Sequence, residues 1–586
     1  MQHQGSRESP EGRGSAVQDP GNSLLAALVL GSVQGVALRA LHVSAAGWGA
    51  NEPALHQALL QFVVAAPLAW WLGEGGFLSG LRRGAAALAV GLLVGLLGAH
   101  AGATVAPGAG NVPRFAEWLA TTVLVHVAVA LVAGFDPATR RFVYARLFEV
   151  AWRNALVVPL AAALTGIFWT LLWAAAWLLR AIGIHWLWDL LAEPATLTIV
   201  TAAIFAVSLA AALRRASALV ALRRAWLSLN TWFLPLALAL ALVAVLGVAV
   251  MGMAQLFATR SAAAILFWFA SLAVLFLNAA WQDGRTAPGL PPPLPRLVPW
   301  AWLALPVLAV LGCWALWLRV QQHGWSPDRV WAALVAAMTL VYAFGYAASL
   351  RSRGRWMTTV GPTNVAAAIV LAAGLVVLLS PLADVRKLSV RSQLARLESG
   401  VIAAADFDFR FLAREGGRYG HEALQKLAAG GVAEVRQGAS AALARAAGNQ
   451  PPRTDAAAAQ AAWREQVRVL PQGARVDPAL LQWLAREQAD WVEKSCAATP
   501  AQCVLWWIPA RGDAPAQAVL LWARDARGAR AVAYGFEPAG WRRQGDLVGK
   551  DLPLSEWTQA IEGGGARWVE PRWPDLQIGQ ARLRVR

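Results

Sequence analysis

Apolar residues form eleven long stretches within the first 380 positions of the chain, and short polar loops separate them. A helix needs about 20 mostly apolar residues to cross the hydrocarbon layer of a membrane. Since each stretch has roughly this length, the pattern predicts eleven transmembrane helices. The predicted helices are Leu24–Leu41, Ala54–Leu72, Gly84–Ala106, Trp118–Phe135, Asn154–Ile182, Ala195–Leu213, Thr231–Met253, Ser261–Gln282, Val298–Val320, Pro327–Leu350 and Val360–Ser380.

The pattern changes after Ser380. In the next segment Val390, Leu394 and Leu397 recur at helical spacing, which predicts amphipathic helices. Beyond two prolines at 451–452, turn residues separate short runs that are rich in Val, Leu and Ala. These runs predict a small antiparallel sheet packed against one or two helices. The predicted elements are a helix at Pro478–Lys494 and strands at Val504–Ile508, Ala518–Ala523 and Ala531–Phe536.

The predicted fold class is therefore an all-α polytopic transmembrane helix bundle of about eleven spans, followed by a C-terminal soluble α+β domain. This division gives four regions. Residues 1–23 form a polar N-terminal tail whose composition predicts disorder, and residues 24–383 form the transmembrane domain. Residues 384–450 form a helical juxtamembrane region, and residues 451–586 form the soluble domain.

The positions of the arginines orient the predicted bundle. Every second loop is rich in arginine, and the loops between them hold few basic residues. Because basic residues concentrate in cytoplasmic loops, the pattern places the N-terminus in the cytoplasm. Eleven spans then place the C-terminal domain in the periplasm of a bacterial cell, beyond the inner membrane. The arginines of the predicted inside loops are Arg82, Arg83, Arg140, Arg141, Arg146, Arg153, Arg214, Arg215, Arg223, Arg224, Arg285, Arg296, Arg351, Arg353 and Arg355.

Composition supports a membrane partner rather than a nucleic acid. The chain is 58% hydrophobic and only 15% charged, although its net charge is +17. Soluble proteins carry about 25% charged residues. Before the break at Ser380 the excess arginines sit mainly in loops between apolar spans, where anionic lipids attract them. We therefore expect the lipid bilayer to be a partner, and no nucleic acid.

Two of the inside loops have amphipathic patterns of their own. In Phe142–Arg153 the apolar residues Val143, Leu147 and Val150 share one helical face, and Arg214–Trp226 repeats the pattern more loosely. Such a segment is typical of a helix that lies in the plane of the lipid headgroups. A solvated helix that extends a neighbouring span has the same pattern, so both interpretations stay open.

Three histidines within predicted spans, His56, His100 and His126, form a candidate intramembrane polar site. Ionisable residues inside a membrane are costly to bury and often mark proton or ion pathways. The alternative is that each neutral imidazole makes a structural hydrogen bond to a neighbouring helix. Because no acidic residue lies deep within a predicted span, the sequence offers these histidines no charged partner.

Asp406 and Asp408, in the motif DFDFRFLAREGGRYG, form a candidate acidic pair near the membrane surface. Paired carboxylates can bind a cation or exchange protons. Asp and Phe alternate here, however, so the competing interpretation has both carboxylates facing water while the Phe side chains pack inward. The sequence contains none of the familiar nucleotide-binding, hydrolase or zinc-protease motifs. We therefore predict no catalytic residue, no metal and no cofactor.

Cys496 and Cys503 enclose a short loop in the predicted soluble domain. Two cysteines this close in an oxidising compartment are expected to form a disulfide bond. The alternatives are two unrelated thiols, or a metal or redox pair, but the spacing is not that of a CxxC motif and no cluster of histidines lies nearby in the sequence. The third cysteine, Cys313, lies inside a predicted span.

Three motifs of the chain stand out: YARLFEVAWRN at 144–154, SVRSQLARLESG after the last span, and DFDFRFLAREGGRYG. They resemble motifs of a bacterial membrane-protein family known as domain of unknown function 4153. The resemblance covers most of the chain. It implies a polytopic inner-membrane protein with a C-terminal soluble region. It implies no activity, substrate or catalytic residue.

These features favour three functional hypotheses. The first is a non-enzymatic envelope protein whose bundle anchors a periplasmic domain that binds a partner protein or senses the state of the envelope. The second is a secondary transporter or channel, which the histidines and the number of spans favour. The third is a membrane enzyme that acts on lipid-linked substrates through Asp406 and Asp408.

Overall fold

In a computed structural model the chain divides into two compact units, Met1–Ala446 and Ala447–Arg586. The structure describes residues 20–74, 78, 80–107, 115–252, 261–285, 289–351, 356–446, 467–487, 503–509, 516–525, 528–537, 540–547, 553–564, 576–578 and 581–583. The predicted N-terminal tail, residues 1–23, lies almost wholly outside these ranges.

The first unit is helical apart from one short hairpin. Its helices up to the last predicted span are α1 (Pro20–Ser44), α2 (Trp48–Asn51), α3 (Pro53–Leu72), α4 (Gly80–Ala103), α5 (Phe115–Gly134), α6 (Tyr144–Ala181), α7 (Trp186–Ala192), α8 (Pro194–Arg214), α9 (Ala216–Thr231), α10 (Phe233–Met251), α11 (Ala262–Trp281), α12 (Leu294–Ala301), α13 (Ala304–His323), α14 (Pro327–Ala347) and α15 (Val360–Leu379). The hairpin pairs β1 (Phe135–Asp136) with β2 (Arg141–Phe142) between α5 and α6.

Eleven helical segments in the described part of the chain are long and apolar enough to cross a membrane. They coincide in order and position with the eleven predicted spans. Two of them contain a local break: α9 runs into α10, and α12 runs into α13. The prediction of a polytopic helix bundle is confirmed.

Close backbone contact joins neighbouring helices of the bundle. Along α4, Gly98 and Gly102 face α3 so closely that a Cβ atom at Gly102 would lie 2.2 Å from the carbonyl oxygen of Pro53. On α1, a Cβ atom at Gly35 would lie 2.6 Å from the Cα atom of Ile199 on α8. Small residues at these positions let helix backbones approach each other, which is a common basis of helix association in membranes.

Helix α6 corrects one boundary of the prediction. The sequence left two interpretations of Phe142–Arg153 open, a helix in the headgroup plane or an extension of the span predicted at Asn154–Ile182, and α6 is one helix of 38 residues. At 1.5 Å per residue it is about 57 Å long, well beyond the hydrocarbon layer. The helix is continuous because residues 144–158 contain no glycine or proline. Leu147 and Val150 pack into the protein core rather than lipid, so this segment extends a span.

Helix α9 remains a distinct amphipathic helix, as predicted for Arg214–Trp226. It ends at Thr231, and α10 begins at Phe233. Leu219 is buried, whereas Leu222 and Trp226 are each 47% exposed. These exposed apolar side chains are suited to the lipid headgroup region, so the placement of α9 in that plane stays a prediction.

Four further helices come after the last span and belong to the same compact unit. They are α16 (Val385–Glu398), α17 (Phe409–Arg414), α18 (Gly417–Ala428) and α19 (Ala433–Ala446). We call these four helices the helical layer. Val390, Leu412 and Leu424 form the centre of its own small core. The predicted helical juxtamembrane region is thus present.

The second unit contains a five-stranded sheet. Its strands are β3 (Arg468–Leu470), β4 (Cys503–Ile508), β5 (Gln517–Asp525), β6 (Gly528–Glu537) and β7 (Gly540–Leu547), and its helices are α20 (Pro478–Glu487) and α21 (Leu554–Glu562). A separate short hairpin pairs β8 (Leu576–Ile578) with β9 (Ala581–Leu583).

The sheet corrects the predicted antiparallel topology. Strands β4 to β7 form an antiparallel meander that includes the three predicted strands, but β3 pairs with β4 in parallel. The chain that contains α20 connects β3 to β4 and returns to the same end of the sheet, as a parallel pair requires. Leu480 of α20 packs on one face of the sheet, and Trp557 of α21 packs on the other. The described part of α20 ends at Glu487, and the rest of the predicted helix lies outside the described residues.

Candidate functional site

A buried contact joins the start of the helical layer to the fourth helix of the bundle. Asp384 is the N-cap of α16, and its Oδ1 atom accepts hydrogen bonds from the backbone N–H groups of Arg386 and Lys387, at 2.8 and 2.9 Å. Its other oxygen, Oδ2, lies 2.7 Å from Nε2 of His100 in the last turn of α4. The side chain of Asp384 is 9% exposed, and that of His100 is 12% exposed. His100 therefore has the acidic partner that the sequence did not reveal, 284 residues away.

Arg386 makes a second connection at the same place. Its guanidinium group forms an ion pair with Glu117 of α5 and donates a hydrogen bond to Oγ1 of Thr104, at 2.9 Å. The backbone N–H of Arg418 donates to the carbonyl oxygen of Thr104, also at 2.9 Å. The chain just after α4 is thereby held by two separate parts of the helical layer. We call this end of the bundle, where α15 ends and α16 begins, the exit end.

The motif SVRSQLARLESG also attaches the helical layer to the bundle. Nε2 of Gln393 donates hydrogen bonds to the carbonyl oxygens of His323 and Trp325, both at 2.9 Å. The guanidinium group of Arg396 donates to the carbonyl oxygens of Gln321 and Gln322, at 3.0 and 2.7 Å. The last carbonyls of a helix have no partner within the helix. Two side chains of α16 therefore cap the end of α13.

The motif DFDFRFLAREGGRYG contributes packing rather than an acidic site. Phe407 is buried, and Phe409 packs against Gly438 of α19. Asp408 caps α17 through a hydrogen bond from the N–H of Phe411, at 3.0 Å. Asp406 and Asp408 are both exposed, in line with the interpretation that they face water.

The backbone at Gly417 explains why the same motif contains paired glycines. Its φ angle is +57°, a conformation that glycine adopts without strain. A Cβ atom there would lie 2.6 Å from the carbonyl oxygen of Thr104. Nearby, burial raises the pKa of the Tyr419 hydroxyl, and the negative charge of Asp384 adds to this effect. The glycines thus let the start of α18 touch the bundle.

A cavity of about 300 Å³, lined by both apolar and charged side chains, opens among these contacts, and we call it the exit cavity. Helices α3, α4, α5, α14, α15 and α16 contribute to its wall. The charged or titratable residues of the lining are His100, Glu117, Asp328, Asp384, Arg386 and Glu415. Among the described residues of the wall, four carboxylates stand against one guanidinium group, so acidic side chains predominate there.

Gln61 of α3 is the most deeply placed polar residue of that wall. Its side chain lines the cavity and is only 2% exposed. The Oε1 atom has no hydrogen-bond partner among the described residues. A buried acceptor that lacks a donor is costly, and in a native structure such a group calls for an explanation, such as a bound water or ion or a functional role. In the sequence Gln61 is one of two glutamines near His56 in the candidate polar site, but nothing in the sequence indicated that it lines a cavity with His100.

The structure does not assemble the three histidines into one site. His56 lies in α3, where its Nε2 atom is 2.8 Å from the carbonyl oxygen of Leu41 and its ring packs against Trp48. His126 is partly buried in α5. Only His100 lines the exit cavity. Within the described ranges, no group of three His, Cys, Asp or Glu residues could hold a metal ion.

Cys503 is disulfide-bonded, whereas Cys313 is a free thiol within its span. Cys496, the predicted partner of Cys503, lies outside the described residues. The pairing of these two cysteines stays a prediction.

A second buried polar cluster lies within the bundle and was not predicted. Nδ2 of Asn364 donates to the hydroxyl of Tyr144 and to Oδ1 of Asn278, both at 2.6 Å. Tyr346, which is 1% exposed, donates its hydroxyl proton to Asn364 and accepts a hydrogen bond from Nδ2 of Asn278. Since four helices contribute to this network, its members satisfy each other and fix the packing of the bundle.

Replacing Tyr346 with phenylalanine tests this structural role. The change removes a hydroxyl that both donates and accepts, so we expect a loss of about 1–3 kcal/mol in the free energy of unfolding. The matched control is Tyr342→Phe, since Tyr342 packs edge-on against the ring of Tyr346. Thermal unfolding of the purified variants measures the stability of each. Equal melting temperatures for the two variants would remove the network as a source of stability.

Comparisons with protein-family models, with curated proteins and with solved structures found no match. The resemblance to domain of unknown function 4153 therefore stays a prediction.

Proposed function

We propose that this protein is a non-enzymatic, multi-pass protein of a bacterial inner membrane, and that its bundle carries a periplasmic domain for partner binding or envelope sensing. The attachment of the helical layer to the exit end carries this proposal. Four side chains of the short segment that begins the helical layer form hydrogen bonds or ion pairs with the bundle. They are those of Asp384, Arg386, Gln393 and Arg396. The bundle thus makes specific contacts with the helical layer, beyond those that a simple anchor needs.

The chemistry of the exposed surface supports binding over catalysis. Asp406 and Asp408, the only residues that suggested an enzyme, are exposed, and they do not line the exit cavity. The carboxylate of Asp408 caps the N-terminus of α17. In the second unit, helices pack on both faces of the sheet. These features favour a protein-binding module on a membrane platform.

Thiol labelling in intact cells tests the periplasmic placement. We expect a membrane-impermeant maleimide to label Cys496 only after a reductant is added, because an external disulfide protects its sulfur atom, whereas Cys503 is buried in the sheet and stays unlabelled. Cys313 lies within a span and serves as the internal control for membrane integrity. Labelling that requires cell lysis but no reductant would place the domain in the cytoplasm and would contradict the proposed orientation.

Site-specific photocrosslinking tests partner binding. A photoreactive residue at Arg542, an exposed position on the edge strand β7, should give one discrete adduct with an envelope protein in living cells. The same probe at Val250, an exposed residue of α10, reports random neighbours in the membrane. If β7 yields only the adducts that Val250 yields, the proposed partner-binding role fails.

A secondary transporter or channel is the alternative function, and one observation favours it. Gln61 and His100 lie within spans and line the same cavity. Polar residues that line a cavity within a membrane often mark a substrate pathway. Solute uptake into proteoliposomes that depends on Gln61 would support transport over partner binding.

A further inference from the structure

The exit cavity has the chemistry of a binding site for a small organic cation. We propose that it binds a small molecule that carries a protonated amine. The inference concerns the bundle itself, so it does not depend on which side of the membrane the second unit occupies or on whether that unit binds a partner.

Charge is the first argument. Four carboxylates from separate places in the chain line the cavity, and Arg386 carries the only guanidinium group among the described residues of its wall. The carboxylates are those of Glu117, Asp328, Asp384 and Glu415. A cleft lined mainly by one sign of charge raises the local concentration of the opposite ion. The wall therefore favours a cation and disfavours phosphate or carboxylate ligands.

The side chain of Gln61 gives the second and independent argument. Its Oε1 atom is an acceptor that no group in the described chain satisfies, and its side chain is almost completely buried at the cavity wall. A ligand that donates a hydrogen bond completes this site. An ammonium group supplies both the charge that the carboxylates favour and the N–H donor that Gln61 lacks.

Size and wall composition suit a small organic molecule. The cavity measures about 300 Å³, which is the lower end of the range for small-molecule sites. No described cluster offers three metal-ligating side chains. Leu97, Leu378 and Trp331 add an apolar part to the wall, which suits the hydrocarbon chain of an alkylamine, and an indole ring attracts cations.

The experiment uses the full-length protein in nanodiscs of zwitterionic lipid, titrated calorimetrically with 1,4-diaminobutane. Both amines of this probe are protonated at neutral pH, as the lysine side chain is. The uncharged control ligand is 1,4-butanediol, which has the same chain length. We expect saturable binding of the diamine at one site and no detectable binding of the diol.

Three variants locate the site. Gln61→Met keeps the length of the side chain and removes the acceptor, so we expect affinity for the diamine to fall at least tenfold, as for a lost hydrogen bond to a charged group. Asp328 is exposed, so Asp328→Asn should leave folding intact. We expect this variant to bind the diamine severalfold more weakly. Asp406→Asn removes an exposed carboxylate outside the cavity and should leave affinity unchanged.

Three results would each overturn the inference: no binding of the diamine, equal binding of diamine and diol, or undiminished affinity in both cavity variants. A melting curve for each variant separates lost binding from lost folding. If Gln61→Met fails to fold, Asp328→Asn against Asp406→Asn decides the question. The labelling and crosslinking experiments that test the proposed function do not use the cavity, so either proposal can fail without the other.

Discussion

Replacing Arg386 with methionine should free the helical layer from the bundle. Its side chain is 12% exposed and that of its ion-pair partner Glu117 is 17% exposed. Removing one member of a buried ion pair typically costs about 3–5 kcal/mol. We expect a loss near the lower end of this range, about 3 kcal/mol, since the pair is not fully enclosed.

Hydrogen–deuterium exchange of the full-length protein in nanodiscs measures this effect. A loss of about 3 kcal/mol corresponds to a roughly hundredfold loss of protection in α16 and α18, because each 1.4 kcal/mol is a factor of ten. Arg391→Met is the matched control, since Arg391 lies on the same helix and is exposed. Equal protection in the two variants would show that the ion pair does not hold the layer.

A second variant separates charge from packing at this position. The double variant Glu117→Gln with Arg386→Met removes both charges of the ion pair. We expect it to recover part of the protection that the single variant loses, since replacing both partners of a buried pair is often nearly neutral. If the double variant behaves like Arg386→Met alone, the guanidinium group acts through its hydrogen bond to Thr104 instead.

Replacing Gly102 with valine should prevent the close packing of α3 and α4. A Cβ atom at this position would lie 2.2 Å from the carbonyl oxygen of Pro53, which is backbone and cannot move aside as a side chain can. The two helices must separate, and His100, two residues earlier, must move with α4. Overpacking typically costs about 1–3 kcal/mol, and we expect a loss at the upper limit of this range here.

Gly166→Val provides the matched control for this change. Gly166 also lies in the interior of a helix, α6, but a Cβ atom there meets nothing within 4 Å. Helix propensity favours valine over glycine slightly at both positions. We expect Gly166→Val to unfold at the wild-type temperature or above, and Gly102→Val to unfold at a clearly lower temperature. Similar melting temperatures would mean that α3 and α4 do not depend on their close contact.

The sequence determined the number and order of the membrane spans. A span is a local property, because about 20 apolar residues are recognisable without knowledge of any neighbour. The three strands β4 to β6 were predicted for the same reason: short apolar runs between turn residues define them. The parallel partner β3 was missed, since its three residues carry almost no pattern and their pairing depends on a crossover of more than thirty residues.

The N-terminal end of α6 shows where a local pattern has two solutions. Leu147 and Val150 form an apolar face that suits either lipid headgroups or protein. The sequence could not choose between them, because both environments bury the same side chains. Only the position of α5, whose Gly134 accommodates Leu147, decided that this face packs against protein.

The exit cavity depended entirely on the tertiary structure. The sequence singled out His100 as a costly residue within a span but offered it no acidic partner. Asp384 meets it from a position 284 residues away, after the last span has ended. Arg386 likewise reaches Glu117 across 269 residues. Hydrophobic periodicity reports which side of a helix is buried, whereas a charge pair depends on which helix ends meet, and that is decided only when the bundle packs.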